Sequence, residues 1–362
     1  MRTHPKALTI ALAATGVLAV SPAQALVMTT TNVAFSNSAS VTDNEGGVAT
    51  TNNAPYGTSL IAQFDPTLGV LTGTTLNLGS TRTSTLTVTA IGSGTSTTEK
   101  TASGSSASNA KIVAPGVNNT FGTINSSTTC TGTKAAGCSN VSSSGTATNA
   151  ALSANTALDA YVGSGTVTVT RTASLTATQG TGTFPGTETT KLTMAWVGSV
   201  SAKYDYLQHA NASFDGGSQL VLDLDFGSVF LGDAAPDQTF GIFNGAGDRV
   251  GLDLVGFSGS GDVGVLGANL DVFAGLVAGS SLDFLASFDT SSLGDFSASY
   301  ALTLADEAVG AASSRFSGYS LTLNLRGSVV ERPAAAVPEP GALALLGIGL
   351  AGLGAMRRRR AA

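Results

Sequence analysis

The chain has 362 residues, enough for about two domains of roughly 150 residues each. Its formal net charge is -6, and residues 26–336 carry 22 acidic and 11 basic side chains, which argues against binding to a nucleic-acid backbone. The chain contains only two histidines, which excludes most zinc sites and most active sites that depend on histidine.

The N-terminus has the parts of a secretory signal peptide. Two basic residues precede an apolar stretch at 7–20, and Ala23 and Ala25 place small residues before a cleavage site. As a helix, fourteen apolar residues rise about 21 Å, short of a roughly 30 Å hydrocarbon core. We therefore predict that residues 1–25 are removed by signal peptidase; an uncleaved membrane helix is the alternative.

The chain that follows alternates apolar and polar side chains in short runs rich in Thr and Val. Period-two alternation with β-branched residues is typical of half-buried strands. The clearest runs are residues 85–90, 166–170, 192–196, 202–206 and 220–225. The pattern predicts an all-β fold of two tandem β-sandwich domains.

The distribution of charge places the boundary between these domains. Residues 26–200 carry six acidic and six basic side chains, whereas residues 201–336 carry sixteen acidic and five basic ones. We therefore predict domains at 26–208 and 212–331, with a short linker at 332–337.

Two segments of the first domain are poor in large apolar residues. Residues 92–110 contain ten Ser or Thr among nineteen residues and no Leu, Ile, Val or Phe, and residues 137–149 are similar. Such segments bury little apolar surface against the entropy of ordering. The composition predicts Ser/Thr/Gly-rich loops at both places, either loose loops or the tips of long hairpins.

Cys130 and Cys138 are the only cysteines. In a secreted chain the expected state is a disulfide, with free thiols as the alternative. Closing a loop of nine residues stabilises a fold by roughly 2–3 kcal/mol in the chain-entropy account.

An ordered motif at residues 63–71 reads Gln-Phe-Asp-Pro-Thr-Leu-Gly-Val-Leu. With a tyrosine-containing strand at Tyr204 and Tyr206, it resembles the choice-of-anchor E domain. That resemblance implies a β-sandwich and carries no activity with its name.

The second domain shows a longer series of glycine and aromatic motifs. These are Phe226-Gly227-Ser228-Val229, Phe240-Gly241-Ile242-Phe243-Asn244, Leu276-Val277-Ala278-Gly279, Phe288-Asp289-Thr290 and residues 294–300. Together they resemble the choice-of-anchor D type of immunoglobulin-like domain over most of residues 215–330. About seven strands with turn signals every 8–15 residues fit such a sandwich.

Few residues suggest chemistry. His209 is the only histidine left after signal removal, and no Gly-x-Ser-x-Gly nucleophile motif accompanies it, so we expect a polar interdomain residue rather than a catalytic base. Asp223 and Asp225 share one face of a strand, and further aspartates follow in turns. Such turns can bind calcium, but Asp is also the usual turn former, and we predict no metal, no cofactor and no catalytic residue.

The C-terminus has three parts at residues 338–360. Sixteen residues without charge, 341–356, would rise about 24 Å as a helix, short for a membrane span but sufficient with snorkelling arginines. This uncharged run is preceded by Val337, Pro338, Glu339 and Pro340. It is followed by Arg357, Arg358, Arg359 and Arg360. The arginines favour a cytoplasmic end, so the chain before them belongs outside the cytoplasmic membrane.

This tripartite end closely resembles the PEP-CTERM sorting signal of Gram-negative bacteria. The resemblance implies recognition by an exosortase, a membrane protease that cuts near Pro-Glu-Pro, and release or transfer to the surface in species that make extracellular polysaccharide. We predict a non-enzymatic exported protein, transiently membrane-anchored and then at the outer surface or in the matrix, with a structural or adhesive role. Its partners would be signal peptidase, exosortase and extracellular polysaccharide or other surface proteins. A glycan- or calcium-binding module is the alternative.

Overall fold

The computed structural model describes residues 23–44, 47–184, 188–333 and 342–358. Within these ranges the chain is almost entirely β-structure, which confirms the predicted all-β class. The strands are β1 Leu26–Thr29, β2 Val33–Asn44, β3 Val48–Ala62, β4 Val70–Ile91, β5 Glu99–Ala114, β6 Val117–Thr120, β7 Ile124–Thr133, β8 Gly137–Ala147, β9 Ala150–Ser153, β10 Thr166–Gln179, β11 Glu188–Leu207, β12 Ala212–Ser213, β13 Val221–Phe230, β14 Gln238–Asn244, β15 Leu252–Gly261, β16 Leu266–Ala268, β17 Phe273–Leu276, β18 Ser281–Phe288, β19 Gly294–Asp306 and β20 Tyr319–Val330.

Strands β1–β11 form a first pair of facing sheets. Sheet 1 has the order β1-β11-β4-β8, with β2 also paired to β11 and β9 to β4. Sheet 2 has the order β3-β10-β5-β6, with β7 also paired to β5. One hydrophobic cluster lies between the two sheets, and Trp196 of β11 lies within it with no exposed surface.

Strands β12–β20 form a second pair with its own hydrophobic cluster. Sheet 3 has the order β12-β14-β18-β16, and sheet 4 has the order β13-β20-β19-β15-β17. The β13–β20 pairing is parallel, and the other pairings in sheet 4 are antiparallel.

The prediction of loops at 92–110 and 137–149 is wrong over most of both segments. They contain β5 and β8, which pair along their lengths with β10 and β4. The facing sheets approach closely here, since a Cβ at Gly104 would lie 2.7 Å from the Thr190 side chain and 2.8 Å from Val88 Cγ2. Small inward residues therefore suit β5, which is held by hydrogen bonds to β10 on one side and to β6 and β7 on the other. Strand β8 is held by its pairing with β4.

Helix α1 spans Ala342–Arg358. It covers most of the uncharged C-terminal run. Among the residues described, none of the helices is both long enough and apolar enough to cross a membrane.

Candidate functional site

The two predicted processing sites flank the folded strands. Ala23 and Ala25 directly precede β1, whose first residue, Leu26, pairs with Tyr206 of β11. The backbone N–H of Gln24 donates to Asp248 Oδ1 at 2.9 Å. Cleavage at the predicted position would therefore start the mature chain on the first residue of a strand.

The sorting motif lies outside the described residues. This applies to Val337, Pro338, Glu339 and Pro340, as well as Arg359 and Arg360. Arg357 and Arg358 form the end of α1.

The structure joins Cys130 and Cys138 in a disulfide, with their Cα atoms 5.7 Å apart. Cys130 lies on β7 of sheet 2 and Cys138 on β8 of sheet 1, so the bond ties the two facing sheets together. Cys130 is buried in a small cluster with Val88, Ala102 and Phe184. The bridge is therefore part of an ordered β-structure rather than of a loose loop.

Replacing both Cys130 and Cys138 by Ser is expected to lower the free energy of unfolding by about 2–3 kcal/mol, the loop-closure contribution of a nine-residue ring. Urea unfolding of the oxidised protein and of the double variant measures the difference. The wild-type protein kept in reductant is the control and should unfold with the variant. Equal midpoints for all three proteins would contradict a stabilising role for the bridge.

His209 lies at the contact between the two sheet pairs. Its Nδ1–H donates to Asp306 Oδ2 at 2.7 Å, and its Nε2 lies 2.8 Å from the carbonyl oxygen of Pro66. A carbonyl oxygen only accepts, so both ring nitrogens carry protons and the ring is an imidazolium. In this arrangement neither nitrogen offers a lone pair to a reacting group.

Four donors surround the fully buried Asp306 carboxylate. Besides His209, they are the backbone N–H groups of Ala210 and Phe316, at 2.9 and 2.7 Å, and the Tyr319 hydroxyl at 2.9 Å. Burial alone would raise the pKa of Asp306, but these hydrogen bonds together hold it below its ordinary value. The hydrogen bond to Asp306 in turn raises the pKa of His209 against the opposing effect of burial.

The Phe-Asp-Pro motif supplies the other side of this contact. Asp65 Oδ1 accepts from the backbone N–H of Thr67 at 2.9 Å, which fixes the short turn that presents the Pro66 carbonyl. Just beyond it, the Leu71 N–H donates to Ser314 Oγ at 3.0 Å, and the Ala311 N–H donates to the Leu71 carbonyl at 2.8 Å. The motif that resembles an anchor domain thus lies where the first sheet pair meets the second.

Backbone approach at this contact is close enough to need glycine. Gly310 has φ +59°, and a Cβ there would lie 2.3 Å from the Leu71 carbonyl oxygen. A side chain at this position would therefore push the two sheet pairs apart.

Two buried arginines went unnoticed in the sequence. Arg171 is 2% exposed, lies 3.9 Å over the Phe35 ring and donates from Nη1 to Ser59 Oγ. Arg82 is equally buried and lies 5.8 Å over Phe121. No carboxylate among the described residues pairs with either. Arg82 instead donates from Nε to Thr148 Oγ1 and from Nη2 to the Gly122 carbonyl oxygen, both at 2.9 Å, and the aromatic rings add a cation–π contact to each arginine. The signal that could have found them is the period-two pattern, because Arg82 and Arg171 continue the inward-facing positions of the runs at 85–90 and 166–170.

The predicted acidic pair lies on β13, where each carboxylate has a partner. Asp223 Oδ1 accepts from Asn324 Nδ2 at 2.8 Å, and Asp225 Oδ2 accepts from Arg326 Nε at 3.0 Å. Over the described ranges, no three His, Cys, Asp or Glu side chains are grouped so that they could hold a metal ion. Calcium binding by these aspartates therefore has no support from the geometry.

A hollow of about 500 Å³ lies beside these pairs on the outer face of sheet 4. Four adjacent strands line it, through Asp223 on β13, Asn324 on β20, Ser299 on β19 and Ser260 on β15. A second hollow of about 310 Å³ adjoins it at Arg326. Sheet 4 therefore carries an extended polar groove, which the sequence analysis did not predict as a unit.

Comparison with known proteins gives little for the body of the chain. No curated protein matches it. Solved structures that share parts of its backbone shape include an ASH/PapD-like domain of human CEP192, at 10% identity, 34% of this chain, 86% of that chain and a TM-score of 0.21. The VesB protease of Vibrio cholerae matches at 14% identity, with 36% and 37% of the two chains and a TM-score of 0.21. A nucleoside hydrolase-related hypothetical protein from Saccharophagus degradans matches at 14%, with 34% and 26% coverage and a TM-score of 0.20. These scores are too low to support an argument about fold or function.

The C-terminus gives a direct match. Residues 336–360 match the PEP-CTERM protein-sorting motif. The match confirms the predicted sorting signal, and it indicates an exported protein that is sorted to the cell surface by an exosortase.

Proposed function

We propose that the protein is a non-enzymatic component of the cell surface or of the extracellular matrix, with a structural or adhesive role linked to extracellular polysaccharide. The observation that carries this proposal is the sorting motif at residues 336–360. Long, hydrogen-bonded sheets with a disulfide between them suit a protein exposed outside the cell.

The route to the surface has three steps in this proposal. Signal peptidase removes residues 1–25, the run at 341–356 with its arginines holds the precursor in the membrane, and exosortase then cuts near Pro338-Glu339-Pro340. The two prolines favour an extended segment there, which suits a protease cleft. Release of the mature chain follows from loss of the hydrophobic run.

The two sheet pairs are, in this proposal, choice-of-anchor domains of the E and D types, at 26–208 and 212–331, the second being immunoglobulin-like. Support comes from the separate hydrophobic clusters of the two pairs. The E-type assignment itself rests on the sequence motif at residues 63–71. Such domains would present surfaces rather than catalyse reactions.

Changing Glu339 to Ala is expected to slow maturation and leave folding intact, because Glu339 lies beyond the last strand of the second sheet pair. The uncut precursor should accumulate several-fold in the membrane fraction, measured by immunoblot of fractionated cells and by mass spectrometry of the C-terminus.

The matched control is Glu331→Ala, an exposed glutamate just before the linker, which should mature at the normal rate. Neutral residues in place of Arg357, Arg358, Arg359 and Arg360 should act differently and weaken retention of the precursor. Normal cutting and release of the Glu339→Ala protein would refute the sorting proposal, and the C-terminus would then be a plain tail anchor.

A further inference from the structure

The outer face of sheet 4 is built as a groove. The floor consists of small side chains, because β15 and β19 present Ser260, Ser297 and Ser299 outward. Longer side chains on β13 and β20, Asp223 and Asn324 among them, form one wall. At Ser260 no strand of the described ranges pairs with the far side of β15, since β17 pairs with β15 only at Leu252 and Leu254. The groove is therefore open along that side.

The polar groups of this wall are held in fixed positions by one another. Ser299 Oγ donates to Asn324 Oδ1 at 2.9 Å, and Asn324 Nδ2 donates to Asp223 Oδ1 at 2.8 Å. This chain crosses three adjacent strands in one row of the sheet. Because each side chain already has a partner, its position is set before any ligand arrives, which lowers the entropy cost of binding.

The residues that line the groove keep unused hydrogen-bonding capacity. Among the described residues, Asp223 Oδ2 has no hydrogen-bond partner. Arg326 donates from Nε to Asp225 Oδ2, its Nη2 lies 3.0 Å from the same oxygen as an ion pair, and its Nη1 has no hydrogen-bond partner among these residues. Asn324 Nδ2 has a second hydrogen beyond the one given to Asp223. Hydrogen-bond acceptors and donors thus alternate within a few ångströms. Adjacent hydroxyl groups of a sugar ring can pair with both, because each hydroxyl donates and accepts.

The surrounding charge decides which sugars fit. Residues 201–336 carry sixteen acidic and five basic side chains. Among the described residues that line the two hollows, the single cation is Arg326, which is paired with Asp225. Such a field repels polyanions and leaves neutral ligands unaffected. Uronate-rich polymers are therefore disfavoured.

We infer that the groove on sheet 4 binds a neutral polysaccharide chain laid across β13, β20, β19 and β15. The inference deepens the proposed surface role and rests on it for its biological setting. The volumes of the two adjoining hollows, about 500 and 310 Å³, suit a few successive sugar rings in an open groove. Recognition in the first hollow uses hydroxyl hydrogen bonds, since none of its described lining residues is aromatic, whereas Phe296 lines the second hollow.

Affinity electrophoresis of the purified mature protein, with both sheet pairs, tests this site. The native gels contain one of three neutral polysaccharides, dextran, laminarin or galactomannan, or the polyuronate alginate. We expect retardation by at least one neutral polymer and none by alginate. Absence of retardation in all three neutral gels, or equal retardation by alginate, overturns the inference.

Two matched serine variants locate the binding. Ser258 and Ser260 lie on the same face of β15, opposite Ala301 and Ser299, and only Ser260 lines the hollow. Ser260→Trp should weaken retardation at least fivefold by filling the groove, and Ser258→Trp should leave it near the wild-type value. Equal behaviour of the two variants would refute the location.

A second pair removes hydrogen-bonding groups rather than filling space. Asn324→Ala should weaken retardation at least threefold, because it removes the central member of the row. Asp283→Ala, an exposed change on sheet 3 away from the groove, should not. These assays use purified protein, so their failure would leave the sorting proposal standing, and failure of the Glu339 experiment would leave the groove standing.

Discussion

Replacing Asp306 by Ala is expected to lower the free energy of unfolding by about 3–5 kcal/mol, the usual cost of removing one partner from a buried ion pair. The change leaves the His209 imidazolium, whose side chain is 24% exposed, without its counter-ion. It also takes the acceptor from Ala210 N–H, Phe316 N–H and the Tyr319 hydroxyl. Urea unfolding followed by circular dichroism measures the loss.

Asp295→Ala is the matched control, since Asp295 is an exposed carboxylate on the same strand, β19. Its effect should stay within about 0.5 kcal/mol, as for most exposed positions. Should Asp306→Ala unfold at the same urea concentration as Asp295→Ala, the contact between the sheet pairs contributes nothing to stability.

The same pair predicts a pH dependence. The pKa of His209 is raised above 6.5, so its contribution is full below about pH 6.5 and is lost as the pH rises through the raised value. The pKa of Asp306 is lowered below 3.8, so its contribution is full above about pH 4 and is lost as the pH falls through the lowered value. The difference in free energy of unfolding between wild type and Asp306→Asn should therefore be largest between about pH 4 and 6.5. Of the charged groups near His209, Asp306 favours the protonated ring and Arg249 opposes it.

The alternation of apolar and polar residues gave the most accurate predictions from the sequence. Leu192, Met194 and Trp196 were predicted to share one face of a strand, and all three are fully buried on β11. The same pattern at Leu86 and Val88 marks buried positions on β4. Period-two patterns succeed because the pleat of a strand fixes which face each side chain takes.

Segments without large apolar residues were misread for a physical reason. In β5 the inward positions are occupied by Ala102, Gly104, Ser106, Ser108 and Ala110, which is a small-residue pattern. Burial there depends on how closely the opposite sheet approaches, and that distance is not encoded locally. Pairing with strands distant in the chain, such as β10, supplies the hydrogen bonds that order the segment.

The contact between the two sheet pairs could likewise not be predicted from the sequence. His209 was predicted to be a polar interdomain residue, but its partners Pro66 and Asp306 lie 143 and 97 positions away in the chain. The groove of sheet 4 has the same origin, because Asp223 and Asn324 meet through a parallel pairing between strands 101 residues apart. Only the folded arrangement brings these residues together.

Replacing Trp196 by Ala is expected to lower the free energy of unfolding by about 3–5 kcal/mol, the range for removing a large aromatic side chain from a packed core. Its ring centroid lies 5.7 Å from that of Phe35 and 6.0 Å from that of Phe121, both in edge-to-face geometry. Those two rings in turn face Arg171 and Arg82. Loss of the indole therefore loosens both aromatic contacts that accompany the buried cations.

Trp196→Phe separates packing from hydrogen bonding. It keeps a ring in the core but removes the indole N–H that donates to Ser80 Oγ at 2.9 Å, so a loss of about 1–2 kcal/mol is expected. Val197→Ala, on the exposed face of the same strand, is the control and should change stability by less than about 0.5 kcal/mol. Urea unfolding followed by circular dichroism suits all three variants, because Trp196 is the only tryptophan and its replacement removes indole fluorescence. If Trp196→Ala cost no more than Val197→Ala, the aromatic cluster would not be what holds sheets 1 and 2 together.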